Sequence, residues 1–159
     1  MVSASLDMLE ESLVKKLEVM RKIEGENIKQ KDILSNTSDE TLYLFDQTLD
    51  RKGEYIDQLS SLDDGFQTLF DNVKKEIGDH KELYAEQIKR MQGLIHDITD
   101  LSASLEAQER RNKKLAEDFF SIQRQDMNHS RSSSAAAFNY YQTMNNFKNI
   151  PPQFMDKKN

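Results

Sequence analysis

From residue 42 onward, apolar side chains recur in steps of three, four and seven: Leu42, Phe45, Leu49, Ile56, Leu59, Phe66, Val73, Ile77, Tyr84, Met91, Ile98, Leu105, Leu115, Phe119 and Ile122. These spacings put them on one narrow stripe of an α-helix. Such a stripe is stable only when another helix covers it, from the same chain or from a partner. An earlier stripe, Leu6, Leu9, Leu13, Leu17, Met20, Ile23 and Leu34, predicts a first helix from roughly Ser5 to Leu34. Within it, Asn27 and Gln30 fall where the seam expects apolar residues, and Gly25 sits nearby. Its last turns are therefore expected to be looser and curved.

Ser35-Asn36-Thr37-Ser38 is the clearest break. Thr37 with Glu40 forms a capping-box pattern, which satisfies free N–H groups at a helix start. A short turn here predicts an antiparallel hairpin of the first two helices. Asp63-Asp64-Gly65 weakens the second helix without shifting its apolar phase, so the helix is expected to continue or only bend. Gly78-Asp79 is the second break, with Asp79 and Glu82 as another capping pattern. One unbroken helix from Thr37 to Asp126 is the rival, and it would span roughly 130 Å. The break is favoured because folding back lets one chain cover its own seams.

The third helix is predicted from about His80 to Asn128. Between Leu105 and Leu115 its sequence is almost wholly polar, so it is expected to project beyond its partners there. Then Arg131-Ser132-Ser133-Ser134-Ala135-Ala136-Ala137 forms a low-complexity joint. The tail beyond it carries Phe138, Tyr140, Tyr141, Met144, Phe147, Ile150, Phe154 and Met155. It is too apolar for a solvated linker and too short to fold alone. The reading is an all-α, elongated antiparallel bundle or coiled coil of about three long helices. Residues 1–128 form the bundle, and residues 129–159 form the joint and a flexible tail that must dock on its own bundle or on a partner.

Composition fits thin helical seams better than a thick core: of 159 residues, 36% are hydrophobic and 31% charged, and mean hydropathy is -0.79. Both prolines, Pro151 and Pro152, lie beyond the predicted helices, so no earlier residue forces a kink. The chain has no Cys, which rules out disulfides and thiolate metal sites. No transmembrane stretch and no signal-peptide pattern is found, which predicts a soluble cytoplasmic protein. Net charge is -6; residues 36–79 carry 11 acidic and 4 basic groups, which argues against nucleic acid as the main partner.

No catalytic constellation emerges, and no cofactor or metal is expected. His80, His96 and His129 are dispersed, and a zinc site needs three or four converging ligands. Paired carboxylates such as Asp63-Asp64 lack a pocket and read as solvated surface. Arg110-Arg111-Asn112-Lys113-Lys114 is the one dense basic cluster; Glu106, Glu109, Glu117 and Asp118 balance it as a salt-bridging helix face. The Met and aromatic residues of the tail are more telling. Flexible thioethers and flat rings suit a surface that binds amphipathic helices.

Several segments resemble the FlgN-type flagellar export chaperones. They are Leu59-Ser60-Ser61-Leu62-Asp63-Asp64-Gly65-Phe66 with Val73-Lys74-Lys75-Glu76, the run from Ile88 to Ile98, and Ala107-Gln108-Glu109-Arg110-Arg111-Asn112-Lys113-Lys114. The endings Asn139-Tyr140-Tyr141-Gln142-Thr143-Met144 and Gln153-Phe154-Met155-Asp156-Lys157-Lys158 extend it, so the similarity runs from about Asp32. The resemblance implies a cytoplasmic, non-enzymatic chaperone of flagellar type III secretion. It would hold the C-terminal helical segments of hook-associated proteins and deliver them to the export apparatus, as a monomer or homodimer. It also implies contact through the C-terminal region. The tail residues Phe138, Tyr140, Tyr141, Met144, Phe154 and Met155 are therefore expected to grip a cargo helix. The alternative is a homodimeric structural coiled coil without cargo.

Overall fold

A computed structural model of the chain describes residues 3–126 and 138–144. Four α-helices, α1 (Ala4–Ser35), α2 (Thr41–Asp64), α3 (Phe66–Ile77) and α4 (Ala85–Asp126), carry the bundle, and a 3-10 turn, Lys81–Tyr84, leads into α4. Residues 138–144 are also α-helical and are called here the tail helix. Among the described residues there is no strand, so the protein is an all-α bundle.

The polar contacts fix the topology. Between α1 and α2–α3 the sequence separation of contacting residues falls from 71 at Ser5–Glu76 to 47 at Lys16–Asp63 and 18 at Gln30–Thr48, which is an antiparallel hairpin. Between α1 and α4 it stays nearly constant, 80 at Arg90–Glu10, 81 at Asn27–Gln108 and 85 at Asn112–Asn27, which makes these helices parallel. Helix α1 is the shared spine. Helices α2, α3 and α4 all pack along it, while α2 and α4 touch each other far less.

The apolar stripe is the core. Leu49, Ile56, Phe66, Met91, Ile98 and Leu105 are all buried, together with Leu6, Leu13, Met20 and Ile23 of α1. Burying one such side chain contributes about 1.5–3 kcal/mol, so a continuous row of them accounts for the elongated shape's cohesion. The stripe ends one position sooner than expected. Ile122, in the last turns of α4, is 57% exposed.

Helix ends follow backbone hydrogen bonding. Ser3 caps α1 by accepting from the Leu6 N–H at 3.1 Å, and Glu76 accepts from Ser3 Oγ at 2.9 Å and from the Ser5 N–H and hydroxyl. A carboxylate at this end also meets the positive pole of the α1 dipole, and the serine donors hold Glu76 below the usual carboxylate range. Gly65 separates α2 from α3 at φ -89° and ψ -5°, and Leu69 N–H still reaches Gly65 O at 3.2 Å, so the rod bends without breaking. At Gly78 the chain does break: φ is 53°, a left-handed conformation that favours glycine. That excludes one helix running from Thr37 to Asp126.

Three local expectations are corrected. Thr37 does not cap α2; instead Thr41 Oγ1 accepts from the Ser38 N–H at 2.7 Å, and Ser38 Oγ accepts from the Glu40 N–H at 3.2 Å. Asp79 caps nothing, since the 3-10 turn starts after His80. The end of α1 is not loosened at Asn27 and Gln30. Both are fully buried, and the helix runs on to Ser35.

Candidate functional site

Midway along the bundle the apolar seam gives way to a layer of polar side chains. Lys52 of α2 is fully buried. Its ammonium lies 2.8 Å from both carboxylate oxygens of Glu109 on α4 and donates to Gln30 Oε1 of α1 at 3.0 Å. Gln30 in turn donates to Thr48 Oγ1 at 2.9 Å, and Thr48 donates to the Phe45 carbonyl at 2.6 Å. Asn112 Nδ2 donates to the Asn27 carbonyl at 2.9 Å and to Gln30 Oε1 at 3.2 Å. Helices α1, α2 and α4 therefore meet in one hydrogen-bonded layer, as a buried charge pair requires.

This layer corrects the expectation for α4 between Leu105 and Leu115. The segment does not project. Glu109 and Asn112 turn inward and are buried, Arg111 is half-buried, and Arg110, Lys113 and Lys114 face solvent.

The tail helix sits on this layer. Tyr140 donates its hydroxyl to Glu109 Oε2 at 2.7 Å, and the Lys52 ammonium lies 4.2 Å from the centre of the Tyr140 ring. One tyrosine thus completes the surroundings of both charges, with a hydrogen bond to the anion and a π-face to the cation. Tyr140 and Met144, at 6% and 3% exposure, belong to the bundle's own core. Tyr141 is half-buried, stacked edge-on against Tyr140 at 5.2 Å, and its buried hydroxyl has no hydrogen-bond partner. Phe138 is 62% exposed. Phe154 and Met155 lie outside the described residues, as do the Ser/Ala joint and the rest of the tail. Of the expected contact residues, then, two are self-docked, one is half-covered and one is free.

Burial pushes the Lys52 ammonium down from its ordinary 10.5 to about 8, while Glu109 and Glu26 oppose the shift. The sign of the pH effect follows. Between these two values the unfolded chain holds a proton that the folded chain has released, so stability rises with pH across that window. The gain is at most about 1.4 kcal/mol per pH unit. Burial, reinforced by Glu109, raises Tyr140 and Tyr141 above 10, so they act in the opposite sense at higher pH. Urea unfolding is expected to show stability increasing from about pH 8 to pH 10, with the increase absent in Lys52→Met.

A second feature lies at the end of the bundle. Leu34, Leu115, Phe119 and Ile122, with Thr37 and Ser38, line an open groove of about 270 Å³. Its walls are mainly apolar, and Ile122 faces it from the last turns of α4. Among the described residues no three His, Asp or Glu side chains converge as metal ligands, and no helix is long and apolar enough to cross a membrane. No protein-family model, curated protein or solved structure matches this chain.

Proposed function

We propose that this chain is a helix-binding chaperone of the flagellar export type. In this reading it works in the cytoplasm, without catalysis. It holds the C-terminal helical segments of hook-associated proteins and passes them to the export apparatus. The observation that carries it is the half-committed tail helix. Tyr140 and Met144 are buried on the bundle, whereas Phe138 is exposed and Tyr141 only half-covered. The contact region is the surface on which Tyr140 and Met144 lie, flanked by Phe138 and Tyr141, with Phe154 and Met155 further on in the sequence. The resemblance of residues 59–66, 88–98, 107–114 and 139–144 to FlgN-type chaperones supports the choice of cargo. The self-covered seam supports a monomer rather than a homodimeric spacer.

Calorimetric titration of the full chain with C-terminal peptides of hook–filament junction proteins tests the reading. Saturable one-to-one binding is expected, and a scrambled peptide should give no heat. If no such peptide binds, the cargo assignment fails.

A further inference from the structure

Helices α2 and α4 flank α1 with few backbone contacts between them, and among the described residues the tail helix spans them at the level of Lys52 and Glu109. The surface beneath it is built without the tail. The Lys52–Glu109 pair and the Lys52–Gln30 hydrogen bond join α1, α2 and α4 directly. What the tail adds is one hydroxyl, one aromatic face and one thioether side chain.

Its hold is incomplete: Tyr140 and Met144 are seated, but two neighbouring aromatic side chains are not. The hydroxyl of Tyr141 is taken out of water without a partner, which counts against the docked state. Phe138 contributes little, being mostly exposed.

Resting on the helix-binding reading above, we infer that the surface formed by Gln30, Lys52 and Glu109 between α2 and α4 is a helix-binding seat, that the chain fills it with its own residues 138–144, and that a partner helix enters by displacing them. The chemistry of the seat defines the occupant. Glu109 offers a carboxylate acceptor and Lys52 a cation that takes a π-face. The partner helix carries a tyrosine at one position and a large apolar side chain four residues later, on the same face, as Tyr140 and Met144 do here. This reverses the expectation that the tail grips cargo. The free chain's Tyr140 and Met144 mark where cargo side chains go.

The chain has no Cys, so Gln142→Cys on the exposed side of the tail helix gives a unique spin-labelling site. The label should be immobilised in the otherwise wild-type chain and mobile when Tyr140→Ala is added, with circular dichroism showing an intact bundle. Tyr140→Phe, which keeps the ring and loses the hydrogen bond, should be intermediate and serves if Tyr140→Ala does not fold. A synthetic peptide with the sequence of residues 136–146 should bind Tyr140→Ala about tenfold more tightly than wild type, because the seat is vacant. The same peptide with its first tyrosine changed to alanine should not bind. A hook-associated peptide that binds should mobilise the label in the wild-type tail. The inference is overturned if the 136–146 peptide does not prefer Tyr140→Ala, if hook-associated peptides bind Tyr140→Ala more weakly than wild type, or if wild type forms a dimer that Tyr140→Ala abolishes, which would give the seat to a second copy's tail. If the 136–146 peptide binds as expected and no hook-associated peptide binds either chain, the seat stands and the flagellar cargo falls.

Discussion

Replacing Lys52 by methionine is expected to lower the unfolding free energy by about 3–5 kcal/mol at neutral pH. The loss is not the strength of the ion pair. It is the cost of leaving Glu109 buried with its charge, supported by the Tyr140 hydroxyl but no longer by a cation. Removing both charges has a different result. In Lys52→Met with Glu109→Leu no uncompensated ion remains, and most of the loss should be recovered. Tyr140 then keeps a buried hydroxyl without its acceptor, so adding Tyr140→Phe should return the chain to wild-type stability or above it. Urea unfolding of the single, double and triple variants reads the series. If Lys52→Met were within about 0.5 kcal/mol of wild type, as for an ordinary surface change, the ammonium would be solvated and the layer absent.

Phe45→Ala should have a comparable effect for a different reason. Phe45 is fully buried and meets Phe120 edge-to-face at 5.8 Å, and Phe120 meets Phe119 at 5.4 Å in the same manner. This cluster joins the start of α2 to the end of α4. Truncating the ring leaves a cavity, at an expected cost of about 3–5 kcal/mol, a large share of the 5–15 kcal/mol typical of whole domains. Ile122→Ala, only a few residues from Phe119, should change stability by less than about 0.5 kcal/mol because Ile122 is exposed. Melting curves of the two variants make the comparison. Equal effects would mean that the helix ends do not pack as described.

The bundle was legible in the sequence because its stripe is long and regular. Leu49, Ile56, Phe66, Met91, Ile98 and Leu105 could be assigned to the core from spacing alone, and the break could be placed at Gly78 because a glycine can end a helix and folding back there lets the chain cover its own seams. The polar layer was not legible, although its signal is present in hindsight. Lys52 falls at seam spacing between Leu49 and Ile56, Glu109 and Asn112 between Leu105 and Ala116, and Asn27 and Gln30 between Ile23 and Leu34. Each looks like a flaw when a helix is judged against its own stripe. They compensate one another only across helices, at separations of 57 residues for Lys52–Glu109 and 82 for Asn112–Gln30, and periodicity within one helix carries no such information. The tail posed the same difficulty. Its apolar side chains demanded a surface, but nothing local to them showed that the surface was a buried charge pair in their own bundle. The capping box expected at Thr37 does not form because the hydroxyls of Ser38 and Thr41 instead bond backbone N–H groups within the loop, and which hydroxyl pairs depends on the path of the loop.

Amide hydrogen exchange of the full chain, with and without a saturating hook-associated peptide, tests the central claim most directly. In the free chain, residues 138–144 should be protected together with α2 around Lys52 and α4 around Glu109. With the peptide bound, residues 138–144 should exchange freely while the segments around Lys52 and Glu109 stay protected or gain protection. Tail amides that remain protected while the peptide slows exchange elsewhere on the bundle would contradict the account.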